Sequence, residues 1–127
     1  MYKSILIFCQ KCIMDIQFSF DGLYFYTRFE NEPNVLFIWN VKRISLSVIL
    51  IHINSIKSAT WSPTSASLAL VTGNDRLYMW TPKGCISLKV NLLIIDLYFN
   101  ANEDLVVRFL DHFIYINLDI DYKSILN

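Results

Sequence analysis

The sequence predicts an all-β fold assembled from repeated small sheets. Its apolar residues recur with a period of two, in short runs rich in β-branched and aromatic side chains, as strands require. Turn-forming residues separate these runs, and no segment shows the long 3.6-residue periodicity of an amphipathic helix. One pattern also recurs about every 40 residues, which indicates a repeat architecture.

The alternation of apolar and polar residues predicts strands in groups of four, four and three. A fourth strand of the last group is either missing or lies after Asp121. The predicted strands are 14–18, 23–29, 35–40 and 46–52, then 57–61, 67–72, 76–80 and 86–90, then 93–99, 104–109 and 112–118. Turns rich in Gly, Pro, Asn and Asp are predicted between them. These turns are 21–22, 31–34, 62–64, 73–75 and 82–84.

Each repeat opens with an aromatic residue and a small polar turn, and it continues to an aliphatic run that ends in Trp. The first copy runs from Phe18-Ser19-Phe20-Asp21-Gly22 to Phe37-Ile38-Trp39-Asn40, and the second from Trp61-Ser62-Pro63-Thr64-Ser65 to Tyr78-Met79-Trp80-Thr81. A third, from Phe99 to Ile116, keeps less of the pattern. The steps of about 41 and about 43 residues are close to one WD40 blade. We therefore expect one domain, 1–127, that is a WD40-type β-propeller of about three blades, approximately 13–52, 56–90 and 93–127.

Several residues occupy positions that carry structural roles in WD repeats. There a turn Asp, a strand-junction His, a Ser or Thr and the Trp form a hydrogen-bonded set that locks each blade. The candidate positions are Phe18, Trp39, His52, Trp61, Asp75, Trp80, Phe99 and Asp111. Blade two has the fullest set, with Ser58 as a further member, whereas blades one and three lack obvious members. We therefore expect stability to come from apolar packing between blades.

The number of copies predicts an incomplete ring. Propellers generally need at least four blades to close. An open stack leaves two blade faces uncovered, and its edge strands can pair with other chains. We therefore expect the chain to need upstream blades or self-association, and to oligomerise or aggregate when it is expressed alone.

Composition excludes several classes of function. The 127 residues have a formal net charge of +0, so no basic field is available to hold a nucleic-acid backbone. No apolar run approaches the roughly 18 residues of a membrane-spanning helix. The N-terminus lacks the long apolar region and cleavage site of a signal peptide. Three cysteines, an odd number, favour a reducing compartment over a disulfide framework.

Cysteine spacing gives one motif that resembles a chemical site. Cys9-x-x-Cys12 could bind zinc or act in redox chemistry, but zinc needs two further ligands. Cys85, His52 and His112 are predicted to lie in separate blades. Chance spacing is the favoured interpretation.

Two other patterns have ordinary structural explanations. Asp111 and His112 could act in acid–base chemistry, but no nucleophile or second base stands at a matching place, and a turn explains them. Trp39, Trp61 and Trp80 could stack on nucleic-acid bases, but their blade spacing favours core packing. The sequence therefore predicts no catalytic, cofactor-binding or metal-binding residue.

Two stretches resemble one WD-repeat family in particular. They are Thr27-Arg28-Phe29-Glu30-Asn31-Glu32-Pro33-Asn34 and Leu77-Tyr78-Met79-Trp80-Thr81-Pro82-Lys83-Gly84-Cys85. Together with the turns and Trp residues above, they resemble the C-terminal blades of the family of WD repeat-containing protein eight, found at centrosomes and spindle poles. The likeness covers roughly residues 12–118.

The resemblance implies a non-enzymatic scaffold without a cofactor, in the cytoplasm and cytoskeleton, at the centrosome or spindle pole body. Such a scaffold would contribute to microtubule minus-end anchoring and spindle assembly. The implied partners are a coiled-coil anchoring protein and a minus-end-directed kinesin, with neither nucleic acid nor membrane. The alternatives are an unrelated WD40 adaptor of a ubiquitin or RNA-processing complex and a truncated, non-functional propeller fragment.

Overall fold

The computed structural model describes residues 13–116, which form three antiparallel sheets in chain order. Blade one comprises β1 (Ile13–Phe18), β2 (Tyr24–Phe29), β3 (Glu32–Asn40) and β4 (Ser45–Ile51). Blade two comprises β5 (Ser58–Trp61), β6 (Leu68–Val71), β7 (Arg76–Thr81) and β8 (Gly84–Lys89). Blade three comprises β9 (Asp96–Phe99), β10 (Leu105–Arg108) and β11 (Phe113–Ile116). In each sheet every strand pairs with its sequence neighbour.

The predicted all-β fold of about three consecutive blades is confirmed. All eleven predicted strands are present in the described range. The largest difference in blade one is the start of β3, which extends back to Glu32 through a segment predicted to be a turn. Glu32 pairs with Phe29 across a two-residue turn, where the register of β2 shifts. Such an irregularity accommodates Pro33 in a strand, since proline lacks the N–H that a regular ladder uses.

The blades are arranged around a common centre. The first strand of blade two, β5, contacts both β1 and β9, so the first strands of successive blades meet. The two linkers between blades, 52–57 and 90–95, are each held by an equivalent backbone hydrogen bond. The N–H of Ile56 donates to the carbonyl of Pro33, and the N–H of Ile94 donates to the carbonyl of Asn74, both at 2.8 Å. Each linker is thereby fixed to the junction between the second and third strands of the blade before it.

The loop after each first strand explains why the aromatic–polar pair recurs in the sequence. The polar residue closes the loop with its backbone N–H: Ser19 donates to the carbonyl of Tyr24, Ser62 to that of Ser67, and Asn100 to that of Asp104, at 2.8, 2.8 and 3.0 Å. Its side-chain oxygen also accepts backbone N–H groups inside the loop. Small polar residues favour this geometry.

Two apolar cores lie at the junctions between blades. Trp61, Leu68, Leu70 and Trp80 of blade two pack with Tyr26, Leu36 and Ile38 of blade one. Ala69, Val71, Leu77 and Met79 of blade two pack with Leu97, Leu105, Val107 and Ile116 of blade three. A third cluster, Phe29, Phe37 and Trp39, lies on the face of blade one that points away from blade two.

We expect Leu70→Ala to lower the free energy of unfolding by about 2–5 kcal/mol, because it opens a cavity at the junction of blades one and two. Chemical denaturation followed by tryptophan fluorescence would measure the change. Ile53→Ala is the control, since Ile53 is 98% exposed and should change stability by less than about 0.5 kcal/mol. Equal losses in the two variants would contradict the junction core.

Candidate interaction surface and blade junctions

The tryptophans of blade two lie in the junction with blade one. Trp61, Leu68 and Trp80 stand opposite one another across β5, β6 and β7. The edge of Tyr24 packs against Trp80 at 5.4 Å between ring centroids, and Tyr26 lies 6.3 Å from Trp61. These contacts bury both indoles and leave them no face on which a nucleic-acid base could stack.

The matching row of blade one has a different environment. Phe18, Phe25 and Trp39 stand opposite one another across β1, β2 and β3. Phe25 stacks on Trp39 at 6.0 Å and contacts Phe18 at 5.2 Å. Phe18 is 60% exposed, whereas Trp61, its counterpart in blade two, is 7% exposed. Trp39, at the other end of the blade-one row, is 8% exposed, so the two rows differ at Phe18 and not at the tryptophan.

A hydroxyl–tryptophan pair of the kind expected in WD repeats occurs in blade one. The Nε1–H of Trp39 donates to Oγ1 of Thr27 at 3.0 Å, and both groups are buried. The expectation that blade one lacks an obvious member of the set therefore missed Thr27. Only the register of β2 and β3 reveals this pair, because it places Thr27 two residues after Phe25, the register partner of Trp39. In blade two the same position is Leu70, which has no hydroxyl.

The remaining expected members of the blade-two set contact other groups. Oγ of Ser58 donates to the carbonyl of Leu97 in blade three at 3.4 Å. Asp75 forms an ion pair with Lys89 at 3.9 Å, and their side chains are 37% and 56% exposed. The blade-two residues that were predicted to form one hydrogen-bonded set therefore make separate contacts.

His52 lies in a groove between blades one and two. Its ring meets Tyr78 edge-on at 4.7 Å, and its carbonyl accepts from Nδ2 of Asn34 at 2.9 Å. The groove, of about 170 Å³, runs between β4 on one side and β7 and β8 on the other, with Cys85 at its margin. Burial lowers the pKa of His52 and raises the pKa of the Cys85 thiol.

In blade three, the predicted positions lie at an exposed turn and at the edge of a core. Nδ1 of His112 is 2.6 Å from Oδ1 of Asp111, and the ring of Phe109 stacks on His112 at 4.8 Å. This hydrogen bond lowers the pKa of Asp111. Phe99 is half-buried against the core shared with blade two.

A polar cluster that the sequence did not reveal connects blades one and two. The hydroxyl of Tyr26 donates to the carboxylate of Asp15, and Nε of Arg28 lies 3.7 Å from the same carboxylate. Nη1 of Arg28 donates to the carbonyl of Ile56 in the linker at 3.1 Å. Burial, reinforced by Asp15, raises the pKa of Tyr26, so the phenol remains a donor. We call Asp15, Tyr26 and Arg28 the clasp.

One end of the blades carries the linkers together with the turns between the second and third strands. Four apolar side chains at this end are exposed. We call Ile53, Leu92, Leu93 and Leu110 the linker-end residues; they are 98%, 48%, 69% and 90% exposed. Exposed apolar residues grouped on one end of a fold are typical of protein-binding surfaces.

The described range also bears on metal binding and on membrane spanning. Between residues 13 and 116, no three His, Cys, Asp or Glu side chains converge in a way that could hold a metal ion. No helix in that range is long and apolar enough to cross a membrane. The Cys9-x-x-Cys12 motif lies outside the described residues.

No protein-family model matches the chain. The chain is similar to WD repeat-containing protein WRAP73 of Mus musculus, with 32% identity over 103 residues. The alignment covers 77% of this chain and 22% of the relative, so the chain spans less than a quarter of that protein's length. The similarity and the sheet topology agree on a partial WD40 propeller.

We expect Thr27→Val to lower the free energy of unfolding by about 1–2 kcal/mol, because it leaves the buried Nε1–H of Trp39 without this acceptor. Chemical denaturation would measure the change. Thr60→Val in β5 is the matched control, and it should have a smaller effect because Thr60 is only half-buried. A loss for Thr60→Val as large as that for Thr27→Val would show that the hydrogen bond to Trp39 is not the cause.

We expect acid to destabilise the protein through His52. The pKa of His52 is lower in the folded state than in the unfolded chain, so the folded state binds fewer protons between those two values. Stability is therefore fully present above the unfolded value of about 6.5 and falls as the pH drops through this window. Melting temperatures measured from about pH 7.5 to about pH 5 should fall less in His52→Gln than in the original chain.

The other histidine provides the control for this titration. His112→Gln should retain the pH dependence of the original chain in this range, because its ion pair with Asp111 is exposed and contributes little to stability. If His112→Gln rather than His52→Gln flattened the profile, burial of His52 would not be the cause.

Proposed function

We propose that this partial WD40 propeller is a protein-interaction scaffold that acts at the centrosome or spindle pole. The main support is its similarity to the WD repeat-containing protein WRAP73. The resemblance of the Thr27–Asn34 and Leu77–Cys85 stretches to a centrosomal WD-repeat family supports the proposed location.

The linker-end residues provide the surface for this role. They come from both linkers and from the turn between β10 and β11, so one partner could contact two or three blades at once. Ile53 and Leu110 are the most exposed of the four. A partner with a complementary apolar surface would remove this area from water, at roughly 25 cal/mol per Å². The opposite end of the blades also carries exposed apolar side chains, since Ile44, Phe20 and Leu23 are 86%, 52% and 51% exposed.

A non-enzymatic role is part of the proposal. The titratable pairs that the described residues bring together have structural explanations. The Asp15–Arg28 pair connects blade one to the next linker, and the Asp111–His112 pair lies on an exposed turn.

The finer assignments follow from the family resemblance. In this proposal the scaffold contributes to microtubule minus-end anchoring and spindle assembly, in the cytoplasm and cytoskeleton. Its partners are a coiled-coil anchoring protein and a minus-end-directed kinesin. A coiled coil presents helices with apolar seams. Such a helix is a suitable partner for the exposed Leu and Ile side chains of the linker-end residues.

Proximity labelling in dividing cells tests the proposal. The full chain fused to a biotin ligase should label centrosomal and spindle-pole proteins above the level of the free ligase. Enrichment of ubiquitin-ligase or RNA-processing subunits instead would favour an unrelated WD40 adaptor. Labelling no different from that of the free ligase would favour a non-functional fragment.

A surface variant tests the linker end directly. We expect the double variant Ile53→Asp with Leu110→Asp to reduce centrosomal labelling roughly fivefold or more, because it places charges in the proposed interface core. Ile44→Asp is the matched control, since Ile44 is 86% exposed at the opposite end. Equal losses in both variants, or no loss in the double variant, would contradict binding through the linker end.

A further inference from the structure

We propose that the outer edge of β4 binds an extended segment of a partner protein. The segment pairs antiparallel with Ile49 and Ile51 and places one apolar side chain in the groove between blades one and two. It carries basic residues before this apolar part and acidic residues after it. The surface is separate from the linker-end residues, and the proposal goes beyond the scaffold function because it does not depend on the centrosomal location.

The backbone of β4 offers hydrogen-bonding groups on its outer side. β4 is the last strand of its sheet, so within residues 13–116 it pairs with β3 alone. The N–H of His52 donates to the carbonyl of Asn34 at 2.9 Å, which continues the register of β3 and β4. Because backbone groups alternate along a strand, Ile49 and Ile51 direct their N–H and C=O groups away from β3. An added strand pairs with such groups.

The exposed side chains of β4 are aliphatic where those of the equivalent strand are polar. Apart from one bulge, the register of β3 with β4 matches that of β7 with β8. Ile49 therefore corresponds to Ser87. Ile51 corresponds to Lys89. Since Ile49 and Ile51 are 43% and 71% exposed, β4 presents an apolar edge that β8 does not.

The second half of β4 has no protection against pairing with another strand. Native edge strands are shielded by charged residues, prolines or bulges. The bulge of β4 lies at Ser47, before this half, and residues 44–56 contain no Pro, Asp, Glu, Lys or Arg. A partner strand at this edge removes apolar area from water and satisfies the outward backbone groups together.

The groove provides a pocket for one side chain of the segment. Its volume of about 170 Å³ is similar to that of an apolar cavity of about 150 Å³ that binds benzene. Leu50 lines the groove from β4, and Tyr78 and Ile86 line it from blade two. Side chains directly opposite each other in neighbouring strands share a face, so the residue opposite Leu50 points to the groove. An aromatic side chain suits that place.

Charges at the two ends of β4 determine the direction of the segment. Lys42 and Arg43 lie in the turn before β4. Glu30 and Glu32 flank the turn from β2 to β3, which the register places beyond the other end of β4. All four side chains are exposed and form no ion pair among the described residues. An antiparallel segment that begins with basic residues and ends with acidic residues complements both ends.

A separate segment suits this surface better than a second copy of the chain. Antiparallel pairing of two β4 edges would bring the row of Val48 and Leu50 in one copy to the groove of the other. In each copy these two side chains already pack against the core shared by blades one and two. They are therefore not available to fill a second groove.

Fluorescence anisotropy with a synthetic segment and the full chain tests the proposal. The probe is fluorescein-labelled Arg-Lys-Val-Phe-Val-Thr-Ser-Glu-Glu, in which Phe is placed opposite Leu50 and the two Val residues opposite Ile51 and Ile49. We expect saturable binding at low salt that weakens as salt is added, because the charges at both ends are exposed. Absence of saturable binding at low salt overturns the proposal.

Methylation of the probe's backbone distinguishes strand pairing from apolar binding alone. N-methylation of the two Val residues removes the N–H groups that face β4 and should raise the dissociation constant about tenfold or more. N-methylation of Phe changes an N–H that points away from β4 and should have little effect. Replacing Phe with Ser leaves the groove empty and should also weaken binding about tenfold. Equal effects of the two kinds of methylation overturn the pairing.

Ile51→Pro makes the corresponding change in the protein. Proline at this position removes an outward N–H and keeps the N–H groups that pair with β3, as edge strands tolerate. The probe should bind about tenfold more weakly or worse, with a nearly unchanged melting temperature. Lys89→Pro is the matched control, because it alters the equivalent position of β8, and it should bind the probe as the original chain does. Equal binding by the two variants overturns pairing with β4.

A charge exchange tests the direction of the segment without altering a strand. The double variant Lys42→Glu with Arg43→Glu should weaken binding of the probe about fivefold or more. A second probe that ends in Lys-Lys instead of Glu-Glu should bind this variant more tightly than it binds the original chain. If the second probe shows no such preference, the antiparallel direction is wrong.

Two further measurements separate this surface from the linker end and from self-association. Leu110→Asp changes the linker end and should bind the probe as the original chain does, so loss of centrosomal labelling and loss of probe binding are distinct results. Weakened probe binding by Leu110→Asp overturns the proposal. Light scattering without the probe gives the mass in solution. A two-chain mass that Ile51→Pro reduces to one chain would assign the β4 edge to a second copy and overturn the proposal.

Discussion

Burial of both faces of blade two is the constraint on which the rest of the structure depends. All four residues of β6 are buried, with Leu68 and Leu70 against blade one and Ala69 and Val71 against blade three. A strand with two apolar faces cannot remove both from water with one neighbour. The flanking blades and the linkers that hold them in place are therefore needed to stabilise blade two.

The sequence predicts the strands well because their determinants are local. The alternation of apolar and polar residues determines which residues form strands. Ser19, Ser62 and Asn100 close the loops with hydrogen bonds to residues four or five positions later, so the local sequence is enough to predict these loops. The error at the start of β3 has a tertiary cause. The turn residues Asn31–Asn34 suggest a loop, but Glu32 pairs with Phe29 of β2, so the strand begins at Glu32. The carbonyl of Pro33 then accepts a hydrogen bond from the linker before blade two.

The polar contacts were harder to predict because they depend on which side chains face each other across strands. Thr27 is one hydroxyl among many in the sequence, and only the register of β2 and β3 places it against Trp39. The clasp likewise requires Asp15 and Arg28 to be register partners and the linker carbonyl of Ile56 to lie beside them. The apolar packing supplies most of the stabilisation, whereas these bonds fix how one blade is placed on the next.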